Sequence, residues 1–592
     1  MIRRASGLLA LFAALAVLHT WPLASNPGGL SRLDNDDTGL NVFVISWIAH
    51  IVPRDPLSLF HAPIFFPDRY ALAYSEHMLV PSLMGAPLIW AGVPPVTVYN
   101  LLILVGFTLS GWTMALVVRQ WTGSTLAGVT AGMLYAFNAH LLTRLVHLQA
   151  LHMEFLPLAL FGLDQVLSGA SGNRETGTGS RQSGDGSRQS GTGSRELAVG
   201  RRQPAAGSQQ PAVGGERGVS GRPQPVPVVG PLAAGVVLTL AFVLQALCSN
   251  YTLVFLAVAL LVSAIMRGDE WLAGGERRRL LALVTSAVVA AIVLAPFLWP
   301  YYVVNREQGL SRSIDEVALY SASWSDYLAT GGRLHYAWWS HRWFEGRTPL
   351  FPGVVGLILT SATLMSSDAR RDRRVRMAVA IGAVGLALSF GPGLPGYAWL
   401  HRHVPLFEGL RAAARWGLLV LTAVAILAAF AVREWERRWR DWSYWPAAAV
   451  LLLGMVTLEA LRAPLAFVGV PHVPALYDEL RRQADAVIVE LPLFAGASVS
   501  ENARYMVHST RHFRPMVNGY SGFETETFRR RAERWRRFPE PDVLADMINV
   551  GVTHVVVDTR QLDASQVSAA AENATLVLVR EDEGHRLYRL RR

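Results

Sequence analysis

ASGLLALFAALAVLHTWPLASNPGGLSRLDNDDTGLN, residues 5–41, runs from an uncharged apolar stretch into a loop with three aspartates in four positions, Asp34, Asp36 and Asp37. An apolar run of this length reads as a membrane span, and the acidic loop then lies at one membrane face. Residues 1–24 also carry the basic start, apolar middle and small residues near Ala24 and Ser25 of a secretory signal. An uncleaved anchor is the preferred reading, because many further spans follow and need an orienting first helix. The question is why an otherwise oily chain concentrates negative charge at that point.

The chain has 592 residues, of which 51% are hydrophobic and 17% charged. Its apolar residues come in long runs, not in amphipathic periods, which predicts a polytopic α-helical membrane protein. Runs at 7–24, 97–118, 124–138, 153–168, 231–249, 251–266, 280–300, 351–367, 377–393, 415–432 and 445–461 give about eleven spans. The shorter stretch 78–92 carries two prolines and reads as an interfacial helix.

The formal charge of +10 sits in short clusters between apolar runs, which argues for the positive-inside rule and against nucleic acid as a partner. With Arg3 and Arg4 inside, the eleven-span scheme puts Arg119, the loop 169–230, Arg277–Arg279, residues 370–376 and residues 433–440 on the cytoplasmic side. Residues 33–41 and the C-terminal region then fall outside. All 54 basic residues are arginine. Without lysine the chain has neither a P-loop lysine nor a Schiff-base lysine, which excludes Walker-type ATPases and pyridoxal enzymes. A single cysteine, Cys248, rules out an intramolecular disulfide.

These features predict a first membrane half over 1–168, with an acidic extracytoplasmic loop at 26–77 and the interfacial helix at 78–92. A low-complexity Gly/Ser/Arg/Gln linker, expected to be disordered and cytoplasmic, covers 169–230. A second membrane half covers 231–462. Residues 463–592 read as a small extracytoplasmic α/β domain, with strands at 485–493, 551–558, 574–579 and 585–591 and helices at 475–484, 525–538 and 541–549. The basic stretch RRRAERWRRF, 529–538, is either a solvated helix face or a contact for anionic lipid or phosphate.

Three outward segments are unusually polar. Residues 31–77 hold the three aspartates, an amphipathic aromatic stretch, and Glu76 with His77; a carboxylate at a membrane surface can act as a general base or metal ligand. The bland alternative is that Asp36 and Asp37 cap a helix starting near Thr38. In 138–157, a helical reading gathers His140, Arg144, His147, Leu151 and Glu154 on a stripe roughly 80° wide, the pattern of a wet cavity or substrate site or of a structural polar network. Arg306 and Arg312, and the i,i+4 pair Arg411 and Arg415, supply outward guanidinium groups suited to phosphate oxygens or to snorkelling towards lipid headgroups.

The order of parts resembles the GT-C superfamily of integral-membrane glycosyltransferases, and most closely a bacterial branch grouped with YfhO-like proteins. The resemblance is carried by DNDDTGLN (34–41), FFPDRYALAYSEH (65–77), FNAH and HLQALHMEFLPLAL within 137–160, RSIDEVALYSASWSDYL (312–328), LFPG (350–353) and VNGYSGF (517–523). It implies an enzyme of the bacterial inner membrane that takes a sugar from a polyprenyl-phosphate-linked donor. The acceptor would be an extracytoplasmic glycan, lipid or protein, and the anomeric centre would be inverted. By position Asp37 matches the essential aspartate of the family, with Asp36 and Asp34 as the alternatives. Substrate contacts are expected from Glu76, His77, Arg144, His147, Glu154, Arg312, Arg411 and Arg415. The charge of the leaving phosphate would be met by the arginines or by a divalent metal, with no ligand set apparent for the latter. A transporter or flippase of lipid-linked saccharide and a non-catalytic membrane scaffold are the competing readings.

Overall fold

The computed structural model describes residues 2–168, 230–272, 277–309 and 311–591; the expected linker lies, but for Gly230, outside the described residues. Helix α1 spans Ile2–His19, α2 Asp36–Ile51, α3 Leu79–Trp90 and α4 Pro95–Thr122. Every one of the eleven apolar runs contains a helix. Among the described residues only five helical segments, Pro95–Thr122, Leu148–Ser168, Pro231–Cys248, Arg277–Gln308 and Ala413–Arg438, short breaks included, are long and apolar enough to cross a membrane by length and composition. Others are short: Thr125–Ala136 and Val354–Met365 have 12 residues each, about 18 Å of rise against a hydrocarbon core of about 30 Å. Eleven apolar runs therefore do not translate into eleven full-length spans. The helix Arg277–Gln308 leaves Leu281, Val288, Ile292 and Trp299 exposed, an apolar face that water would not tolerate on this length and that hydrocarbon accommodates.

The C-terminal region is a small α/β unit. Strands β3 (Ile488–Leu491), β4 (His554–Asp558), β5 (Leu576–Asp582) and β6 (His585–Leu590) form a sheet ordered β3-β4-β6-β5. The β3-β4 pair is parallel and the other neighbours are antiparallel. Strand β4 is buried at every residue, as expected for a central Val-rich strand covered on both faces. The helices Leu476–Arg482, Glu526–Trp535 and Pro541–Val550 fall on the three expected helical stretches. On Glu526–Trp535 and the turn after it the arginines are largely paired with acids, Arg529 with Glu524, Arg530 with Glu526, Arg534 with Asp546 and Arg537 with Asp542. That leaves little free charge there for lipid.

This unit is docked on the acidic loop. Two short strands, β1 (Leu30–Ser31) and β2 (Val468–Gly469), pair antiparallel and tie the start of the loop to the start of the C-terminal region. The Phe65 and Phe66 amides donate to the carbonyls of Asn518 and Met516, and the Met516 amide donates to Pro63. Helix α2 is buried around almost its whole circumference, from Thr38 to Ala49. The sequence suggested an amphipathic stretch there. The exposed face is missing because α3 and α4 cover one side and the helix Ala503–Ser509 the other. Gly39 permits that approach, since a Cβ there would lie 3.1 Å from Ala503.

Candidate active site

Helix α2 begins at an asparagine. The Asn35 side chain accepts from the Asp37 amide at 3.1 Å, so the helix cap expected of Asp36 and Asp37 is supplied by their neighbour. The two aspartates occupy the first turn, where the helix dipole favours negative charge, and their carboxylates are left for other partners. Successive residues at a helix start diverge, and the three aspartates separate accordingly. Asp34 is held by Arg32 at 3.0 Å on the surface. Asp36 faces a cavity of about 790 Å3 shared with His508, Asp558 and His585 of the C-terminal unit. Asp37 faces a different cavity, of about 700 Å3.

The Asp37 cavity brings together residues distant in the chain. Its wall includes Glu76, His147, Tyr251, Arg312, Arg411, Arg415 and Tyr520. Asp37 Oδ1 accepts from the Tyr520 hydroxyl at 2.6 Å, and its Oδ2 lies 3.3 Å from His147 Nε2. Burial first, then the charges of Arg415, Arg144 and Arg411, push His147 well below the usual imidazole range. The ring is therefore neutral. Among the described residues its Nδ1 is buried without a partner, and Nε2 is the nitrogen that faces the carboxylate. Burial and the negative charge of Asp37 push the Tyr520 phenol upward, so it remains a donor. Glu76 accepts from the Ser249 hydroxyl and from the Tyr251 amide.

Guanidinium groups line the same cavity. Arg415 lies over the Tyr251 ring, 4.4 Å from its centroid, and among the described residues no carboxylate pairs with it. Tyr251 in turn accepts through its hydroxyl from the amides of Arg411 and Ala412 at 3.1 and 3.2 Å. Arg411 is 4.0 Å from Glu316 and stands over Tyr320. Arg312 is more firmly engaged: it pairs with Glu316 at 3.0 Å, donates to the Gly522 carbonyl and sits over Phe523. The i,i+4 helical spacing inferred for Arg411 and Arg415 does not hold. Residue 412 is non-helical, and 413–416 form a 3-10 turn before the helix Gly417–Arg438. The two side chains reach the same cavity by a different backbone route.

The helical stripe over 138–157 is also corrected. The segment breaks into a 3-10 turn at Leu141–Thr143, a single helical turn at Leu148–Leu151 and a new helix from Phe155. Asn138 caps the first break by accepting from the Leu141 amide at 3.0 Å. Of the stripe, only His147 lines the cavity. Arg144 sits behind it, where its charge is felt by His147. Glu154 is buried away from the site, 3.0 Å from His152. His140 is buried, as is His77, whose Nδ1 is 3.0 Å from the Tyr301 hydroxyl. Burial lowers His77 to about 4, so it is a neutral packing residue beside the cavity rather than part of its wall. Sequence reasoning did not single out Tyr520 or Glu316. Tyr520 and Glu316 lie inside VNGYSGF and RSIDEVALY, which carried the resemblance, but no local pattern said that these side chains would meet Asp37 or the arginines.

Among the described residues no group of three His, Cys, Asp or Glu is placed to hold a metal ion. The three carboxylates that line the cavity, Asp37, Glu76 and Glu524, each already accept from protein donors, and no step below is routed through a metal.

The whole chain superposes on the cryo-EM structure of the arabinofuranosyltransferase AftD from Mycobacteria with a TM-score of 0.52 at 14% identity, covering 100% of this chain and 41% of that one. The fold is that of the GT-C glycosyltransferases. The chain spans about two fifths of the length of that mycobacterial protein. ArnT from Cupriavidus metallidurans aligns over 99% of this chain and 98% of its own at 14% identity, with a TM-score of 0.47. The oligosaccharyltransferase AglB from Archaeoglobus fulgidus aligns over 96% and 71% at 11% identity, with a TM-score of 0.41. No protein-family model matches the sequence, and no curated protein is similar to it in sequence.

Proposed function

We propose that this chain is a membrane glycosyltransferase that moves a sugar from a polyprenyl-phosphate-linked donor to an acceptor hydroxyl at the outer face of a bacterial inner membrane. The observation that carries this reading is one cavity lined both by Asp37 and by Arg411 and Arg415. Transfer from a phosphate-linked sugar needs both kinds of group on opposite sides of the anomeric carbon. The Asp37 carboxylate takes the proton of the acceptor hydroxyl as its oxygen bonds to the anomeric carbon. The bond from that carbon to the phosphate oxygen breaks on the far side, the lipid phosphate leaves with the electron pair, and the centre is inverted. Arg415, lacking a carboxylate partner among the described residues, meets the growing phosphate charge first, with Arg411 beside it. Arg144 adds to a positive potential that the donor's phosphate would balance.

The acceptor is a glycan, a lipid or a protein, and the polyprenyl chain of the donor lies among the membrane lipids. A scaffold has no need for ionisable side chains converging on one cavity, which favours the enzyme over that alternative.

The test is transfer in membranes supplied with a panel of polyprenyl-phosphate sugars. Asp37→Asn is expected to lower turnover by roughly 10²–10⁴-fold, the range for loss of a positioned general base. Unchanged turnover would remove Asp37 from that role. A wild-type protein that transfers none of the panel's sugars would overturn the reading itself.

A further inference from the structure

The stretch VNGYSGF, 517–523, belongs to the C-terminal unit, yet its middle lies in the Asp37 cavity, where Tyr520, Ser521, Gly522 and Phe523 form part of the wall. Its path is tightly fixed. A Cβ on Gly519 would meet the Phe65 ring at 2.5 Å, and one on Gly522 would meet the Tyr74 carbonyl at 2.7 Å. Only glycine fits the backbone into that slot. Just before it the Asn518 carbonyl accepts from the Phe65 amide at 3.2 Å, and the Tyr520 amide points to Met506 Sδ at 3.2 Å. The phenol at the end of this braced loop therefore has little freedom, and it is spent on Asp37 Oδ1.

We infer that Tyr520 is a positioning residue for Asp37: its hydroxyl donates to one carboxylate oxygen and fixes the orientation of the group, with His147 Nε2 3.3 Å from the other oxygen. This inference rests on the role proposed for Asp37. The chemistry of the two neighbours is informative. An arginine in either place would form an ion pair, which stabilises the carboxylate strongly and makes it a poor proton acceptor. A phenol beside a neutral imidazole orients the carboxylate while leaving more of its basicity. Each oxygen also keeps a lone pair for the acceptor hydroxyl. Among the described residues no arginine pairs with Asp37: Arg312 is held by Glu316 and Gly522, and Arg415 lies over Tyr251 with its fork free of carboxylates. The C-terminal unit thus supplies part of the machinery around the base, not merely a cover.

Tyr520→Phe keeps the ring and removes the bond. The direct readout is infrared titration of the Asp37 carboxyl in the full-length protein, isolated as the difference between each background and its Asp37→Asn partner. The titration midpoint of Asp37 is expected to rise by roughly one pH unit in Tyr520→Phe. An unmoved midpoint in Tyr520→Phe overturns the inference. This readout needs no donor sugar, so it decides the matter even where no transfer is seen. In an active preparation the acid limb of the kcat profile should move to higher pH by the same amount, with the donor KM within about twofold. A fall in kcat with the limb unmoved would mean a purely structural tyrosine and would likewise overturn the inference.

Discussion

Asn35, not an aspartate, closes the start of α2, and this small exchange is what frees Asp37. Removing the cap by Asn35→Ala should cost about 1 kcal/mol of stability, read as a lower melting temperature of the detergent-solubilised protein. Activity should fall less than in Asp37→Asn, because the carboxylate keeps the Tyr520 donor. Arg415→Lys should be a poor substitute for Arg415. A compact ammonium can neither lie flat over Tyr251 nor present a fork to a phosphate, so donor KM is expected to rise several-fold. An unchanged donor KM would show that Arg415 does not touch the phosphate. Much of this site could be read in advance: Asp37, Glu76, His147, Arg312, Arg411 and Arg415 were all marked as ionisable groups out of keeping with an oily chain. Their partners could not be. Tyr520 is ordinary in composition, and its meaning comes from a contact across 483 residues.

Helices were legible wherever apolar residues ran on, because helix is the structure that satisfies every backbone group within a single span. Their ends were less so. The stripe over 138–157 failed because Asn138 and His147 break the helix, and a helical wheel presumes the continuity it tries to test. At the end of the bundle that carries residues 164, 267 and 374, Arg267 is almost wholly buried, 2.6 Å from both Asp164 and Glu270. Arg374 joins Asp164 at 3.0 Å and Arg373 joins Glu270 at 3.3 Å. The sequence suggested only that arginines there face the cytoplasm. The structure adds that several are ion-pair partners linking the helices around 155–168, 250–271 and 373–389. Arg267→Met leaves two buried carboxylates short of a partner, and a loss of about 3 kcal/mol is expected, seen as faster thermal inactivation. An unaltered inactivation rate would mean that Arg373 and Arg374 suffice.

Several histidines of the assembled protein are held neutral by burial: His77 at about 4, His512 at about 3, and His140 and His147 well below the usual range. Unfolded, each titrates near 6.5. Between those values the unfolded chain binds protons that the folded one does not, so stability is full above about pH 6.5 and falls as pH drops towards 4. Melting temperatures from pH 7.5 to 5 should decline accordingly, and a flat profile would show that these rings are not kept neutral. The sidedness proposed for the protein has its own check, since the one cysteine, Cys248, is buried. A cysteine at the exposed Leu57 should react with an impermeant maleimide on intact spheroplasts, and one at Asp368 only after they are opened. The opposite pattern would invert the topology. One last consequence concerns biogenesis. Asp37 is translated 483 residues before Tyr520, and the strand Leu30–Ser31 likewise long before its partner Val468–Gly469. A nascent chain halted before residue 517 therefore carries Asp37 with part of its wall missing, and the site closes only once the stretch 517–523 has been made.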